Sequence, residues 1–119
     1  MNVFRIFVVV ALFSVAALPA HAMVNPFGRV QTGLNDQDRQ LLRTELQRLL
    51  ETGQAGSVGS WRNAKSATFG TMEIRRVFKQ AGLGCKQVLH VIKLRKERDA
   101  RRFLISYCKA SDGQWKILS

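Results

Sequence analysis

The stretch Cys85-Lys86-Gln87-Val88-Leu89-His90-Val91-Ile92-Lys93-Leu94-Arg95, then the tip 96–100, then Arg101-Arg102-Phe103-Leu104-Ile105-Ser106-Tyr107-Cys108-Lys109, decides the fold of this chain. Both runs alternate with a period of two, which predicts strands over 85–95 and 101–109. The charged residues 96–99 separate them as the tip of a hairpin. Setting Cys85 opposite Cys108 places Gln87 opposite Ser106 and Leu89 opposite Leu104. On the other face Val88 then meets Ile105, and His90 meets Phe103. This register is chosen to pair the cysteines. Its independent support is that Val88, Ile92, Leu94, Phe103, Ile105 and Tyr107 gather on one face.

Cys85 and Cys108 are the only two cysteines, so a single intramolecular pairing is open to them. A redox couple calls for Cys-x-x-Cys, which is absent. A metal site needs further ligands, and beyond the leader the chain offers only His90. A structural disulfide is therefore expected, and no metal or cofactor. Closing a loop of this size contributes about 3 kcal/mol in the chain-entropy model.

An oxidising destination is consistent with the start of the chain. Arg5, the apolar run 6–17 and the ending Pro19-Ala20-His21-Ala22 read as a cleaved signal peptide over 1–22. The competing membrane anchor needs roughly 20 apolar residues, more than this run supplies. No cysteine stands just after the cleavage site, so no lipid anchor is expected. The chain carries 19 Lys and Arg against 8 Asp and Glu. Only Arg5 lies in the leader, so the remainder holds 18 cations against 8 acids, a net +10. Such a charge favours anionic partners, or serves solubility alone. Export points to an anionic envelope component or an acidic protein and argues against nucleic acid.

Residues 23–34 read as an extended lead-in. Over 35–52 a helix is predicted, capped by Asn35 or Asp36 and carrying Asp36 and Asp38 in its first turn. Leu42, Leu46, Leu49 and Leu50 form its apolar stripe and Gly53 its stop. Strands follow at 58–63, 69–79 (Met72, Ile74 and Phe78 on one face), 85–95, 101–109 and 114–118. Residues 80–84 form a Gly-bearing connection, and Ser111-Asp112-Gly113 a turn. No helix separates the strands. The expected fold is α+β, one N-terminal amphipathic helix packed on an antiparallel meander of four to five strands, within one small domain over 35–119.

Gly84-Cys85-Lys86 and Tyr107-Cys108-Lys109-Ala110-Ser111-Asp112-Gly113-Gln114-Trp115-Lys116-Ile117 resemble the C-terminal domain of the rickettsial-type surface antigen family. Members show a Cys followed by a basic residue, then a second such Cys leading into Asp-Gly-x-Trp. Upstream, Trp61-Arg62-Asn63 followed by Ser66 and Gly70 is similar to that family's Trp-x-Asn stretch before a Gly-opened strand. The resemblance covers about residues 58–118. It implies a bacterial envelope protein, at the outer membrane or in the periplasm, of unknown biochemical activity. Departures are the missing lipid-bearing Cys and the missing glycine-zipper segment, which shift the expectation toward a soluble periplasmic or secreted form.

Candidate chemistry is sparse. His90, by alternation, lies on the apolar face near Phe103 and reads as a packed histidine without a catalytic partner. Glu45, Glu51, Glu73, Glu97, Asp99 and Asp112 are scattered, and none is spaced for acid–base work. Trp61 and Trp115 read as core anchors ahead of a glycan platform. Lys93, Arg95, Lys96, Arg98, Arg101 and Arg102 crowd the hairpin tip against Glu97 and Asp99 alone. Lys93, Arg95 and Arg101 are expected on one side, with Arg75, Arg76 and Lys79 joining if their strand is adjacent. The tip is either an anion-binding hairpin or a solvated, edge-protecting one. The expected function is a non-enzymatic envelope binding or structural module. The alternative is a small secreted or periplasmic effector or inhibitor that docks on another protein.

Overall fold

The structure, a computed structural model, describes residues 33–118. The predicted leader and nearly all of the lead-in lie outside these residues. One helix, α1 (Asp36–Thr52), precedes five strands: β1 (Val58–Asn63), β2 (Thr68–Gln80), β3 (Leu83–Lys93), β4 (Arg101–Lys109) and β5 (Trp115–Ile117). The strands pair antiparallel in chain order, β1-β2-β3-β4-β5, as a meander. Short connections dictate this, because no segment between strands is long enough for a parallel crossover.

α1 starts where its side chains can satisfy the free N–H groups. The Asn35 side chain accepts from the Asp38 N–H, and the Asp38 carboxylate accepts from the Asn35 N–H, a reciprocal capping box. Leu42, Leu46, Leu49 and Leu50 are buried against Trp61, Met72, Ile74, Val88 and Ile92. Gly53 ends the helix in an extended conformation, φ −84°. The left-handed stop common after helices is not used; instead a Cβ at Gly53 would lie 2.7 Å from Ile74 Cδ1.

The expected cysteine register is the observed one. Cys85 pairs with Cys108, Val88 with Ile105, Leu89 with Leu104 and His90 with Phe103, and the two cysteines are joined. Val88, Ile92, Phe103, Ile105 and Tyr107 face the helix side, and Leu94 joins the core from just beyond β3.

Three expectations fail locally. First, β2 carries a bulge between Ile74 and Arg76. One extra residue shifts the phase, so Phe78 pairs with Cys85 on the outer face and does not follow Met72 and Ile74. Second, the five-residue connection 80–84 contracts to Ala81 and Gly82, both at positive φ. That two-residue turn matches strand twist, so pairing runs on through Leu83 and Gly84. Third, β3 stops at Lys93, which leaves Arg95 in a loop.

Candidate functional site

The loop from Leu94 to Ala100 is held by its own charges. Lys93 Nζ donates to the carbonyls of Leu94 (2.8 Å) and Glu97. The Glu97 N–H donates back to the Leu94 carbonyl. Arg101 Nε donates to Glu97 Oε2 at 2.8 Å, and its Nη2 engages Oε1. One carboxylate thus ties the loop to the first residue of β4, and hydrogen bonding to Glu97, aided by that charge, holds the Arg101 guanidinium above its ordinary pKa.

This geometry divides the six cations of the tip. Lys93 and Arg101 are half-buried and face inward to the loop's own acceptors. Arg95, Lys96 and Arg98 are exposed on the loop and make no ion pair among the described residues. Arg102 is exposed on β4, opposite Val91. The expectation that Lys93, Arg95 and Arg101 project from one side is corrected: Arg101 pairs with Ile92 on the helix side, Lys93 with Phe69 on the outer side, and Arg95 belongs to no strand. Arg75, Arg76 and Lys79 do not join them. Arg76 pairs with Gln87 and Lys79 with Gly84, toward the far end of β3.

Beside the loop is an open cleft of about 600 Å3. Asn35, Asp38, Ser66 and Thr68 form one wall; Leu94, Arg95, Lys96, Glu97 and Arg101 form the other. Asp38 is only 1% exposed. Beyond its capping role it accepts from Asn63 Nδ2 and Ser66 Oγ, each at 2.7 Å. The sequence pattern marks Asp38 only as a first-turn acid; the Asn35-x-x-Asp38 spacing is the signal that reveals a capping box.

The other end of α1 is held as firmly. Lys86 Nζ donates to the carbonyls of Leu50 and Gly53, each at 2.6 Å. No basic residue lies in the helix's last turn, so this cation reaches it from the sheet. Trp115 Nε1 donates to Glu51 at 3.0 Å, and Lys109 Nζ donates to the same carboxylate at 3.2 Å. Those two donors hold the Glu51 carboxyl below its usual range. Trp115 is therefore half-buried against the core with its polar edge engaged, whereas Trp61 is buried.

His90 is 0% exposed and its Nε2 lies 2.9 Å from the Tyr107 hydroxyl. Burial lowers the imidazole pKa to about 4 and pushes the Tyr107 phenol up. The packed reading of His90 is thus the observed one. Glu45 is taken by Arg48, Glu97 by Arg101, and Asp112 accepts from the Gln114 N–H in its turn. Among the described residues no cluster of His, Cys, Asp and Glu could hold a metal, and no helix is long and apolar enough to cross a membrane.

A 92-residue stretch is 26% identical to a protein of Rickettsia bellii named 17 kDa surface antigen, covering 76% of this chain and 57% of that protein. The chain resembles the rickettsial surface antigens. The 17 kDa surface antigens of Rickettsia conorii (26% identical, 73% of this chain and 54% of that protein) and Rickettsia prowazekii (27%, 71% and 53%) match in the same way. The chain spans little more than half the length of these curated relatives. No family model matches the chain. No solved structure matches it. Several of the residues that carry the surface-antigen resemblance in the sequence join helix to sheet. Asn63 and Ser66 hold the helix start through Asp38, Trp61 packs on Gly70, and Lys86, Lys109 and Trp115 hold the helix end.

Proposed function

We propose that this chain is an exported cell-envelope protein that acts without catalysis, as a binding or structural module whose basic loop holds an anionic partner. The observation that carries the reading is the division of the tip. Lys93, Glu97 and Arg101 fix the loop, and Arg95, Lys96 and Arg98 stand exposed on it without an ion pair among the described residues. Two arginines on a fixed loop present planar donor forks suited to phosphate, sulfate and carboxylate, and Lys96 adds a third cation between them. The resemblance to proteins named surface antigens supports the envelope setting, as does the disulfide.

Retention on an anionic polymer, followed as salt is raised, tests this. The triple variant Arg95→Glu, Lys96→Glu, Arg98→Glu should bind on the order of tenfold or more weakly at low salt and lose most of its salt dependence. Equal retention of variant and wild type would remove the loop from the function. The second reading, a small exported effector or inhibitor, draws support from the exposed Phe69 and Leu104. It requires a stoichiometric protein partner, which a periplasmic pull-down would identify.

A further inference from the structure

α1 covers one face of the sheet, and no described element lies over the other. The strand register gives that outer face a definite map. Arg62, Phe69 and Lys93 form the row nearest the basic loop. Ser60, Thr71, Val91 and Arg102 form the next, and Val58, Glu73, Leu89 and Leu104 the one after. Val58 is 62% exposed, Phe69 40% and Leu104 58%. Apolar side chains thus stand in water among arginines and lysines, with Glu73 as the one carboxylate in these rows. Phe69, Thr71, Val91, Lys93 and Ala100 line a shallow hollow of about 250 Å3. Ala100 is also the last residue of the basic loop. Loop and hollow are one continuous surface.

We propose that this outer face, together with the loop, docks the protein on an anionic lipid bilayer. The proposal deepens the anion-binding reading of the loop and rests on it. Charge complementarity selects the occupant. A second copy of this chain would set Arg62 and Arg102 against the same cations, which like-charge repulsion disfavours. A soluble polyanion answers the charges but leaves Phe69 and Leu104 in water. A bilayer surface answers both: phosphates for the cations, and the acyl boundary for the apolar centre. Arg62 already stacks on the Phe69 ring, 5.2 Å from its centroid, so its charged head can lie beside a phosphate while the ring enters the interface. Each cation near such a surface contributes about fivefold to partitioning.

The test compares the full chain with two variants that share its N-terminus. One is Phe69→Ser with Leu104→Ser; the other is the Arg95→Glu, Lys96→Glu, Arg98→Glu loop variant. Each is mixed with phosphatidylglycerol-containing vesicles, with phosphatidylcholine vesicles and with dextran sulfate. Wild type should sediment with anionic vesicles in preference to zwitterionic ones. The outer-face variant should lose on the order of tenfold in vesicle binding while keeping wild-type affinity for dextran sulfate. A tryptophan placed by Leu104→Trp should be quenched by brominated lipid. Vesicle binding unchanged in the outer-face variant, or an unquenched Trp, overturns the docking face and leaves the loop reading intact. Binding to dextran sulfate but not to vesicles does the same. Failure of wild type to bind any anionic surface overturns both. Thermal melts confirm that both variants are folded before binding is compared; the loop residues and Leu104 are mostly exposed, and Phe69 is 40% exposed.

Discussion

The indole of Trp61 lies across the backbone of Gly70, its cross-strand partner: a Cβ built on Gly70 would stand 2.6 Å from Trp61 Nε1. The glycine leaves the space that the ring fills, which lets Trp61 reach the core under α1. Gly70→Ala should therefore cost about 1–3 kcal/mol by forcing the ring out of its rotamer. Urea denaturation with intrinsic fluorescence measures this; an unchanged midpoint would show that the ring can move aside freely.

Asp38 and Asn63 should behave as a unit. Removing the carboxylate by Asp38→Ala strands the donors of Asn63 and Ser66 and breaks the capping box. A loss of about 2–4 kcal/mol is expected, and Asn63→Ala should cost about 1–3. The double variant should fall short of the sum of the single losses by at least about 0.5 kcal/mol, because the two share one hydrogen bond. Strict additivity in a double-mutant cycle would contradict this.

Acid should weaken the fold through His90. Its pKa in the folded protein is about 4, against an ordinary 6.5, because burial disfavours the imidazolium. The folded state therefore binds fewer protons than the unfolded one between these values. The contribution is fully present above pH 6.5, falls as pH drops, and is lost by about pH 4. It amounts to up to about 3 kcal/mol. Glu45 and Glu51, held low by Arg48 and by Trp115 with Lys109, add a loss of the same sign only below about pH 4.5. Stability measured from pH 7 to 4.5 should slope for wild type and lie flatter for His90→Gln.

Reducing the Cys85–Cys108 bond should cost about 3 kcal/mol without changing the strand order, since the register also rests on Val88, Ile105, His90 and Phe103. Intact mass of unreduced protein should lack two hydrogens, and the melting temperature of the Cys85→Ser, Cys108→Ser variant gives the energy. Two alkylatable thiols in unreduced material would contradict the bond.

Lys86→Met keeps an unbranched apolar side chain but removes the ammonium from the carbonyls of Leu50 and Gly53 and from the face of the Trp115 ring, 5.5 Å from its centroid. A loss of about 1–2 kcal/mol is expected, with fraying in the last turn of α1 read by amide exchange. Protection unchanged at Leu49 and Leu50 would assign Lys86 no capping role.

The amino-acid sequence by itself determined the helix, the run of strands after it, and the apolar face that agrees with a register pairing Cys85 with Cys108. Those features are periodic: a side chain alternates every two residues in a strand and recurs every three to four in a helix, so local order writes them into the chain. It also determined that cations crowd the tip between β3 and β4. Only the tertiary structure decided which of them are free to act. Lys93 and Arg101 turn inward because Glu97 and two loop carbonyls lie within reach, a matter of distance across a fold that spacing does not encode. The bulge near Arg75 is equally invisible in the pattern, since one inserted residue reverses the faces beyond it and sends Phe78 outward. The uncovered face is decided in the same way. Alternation divides Phe69, Val91 and Leu104 from the helix-side set, but only the placement of α1 leaves them to face water.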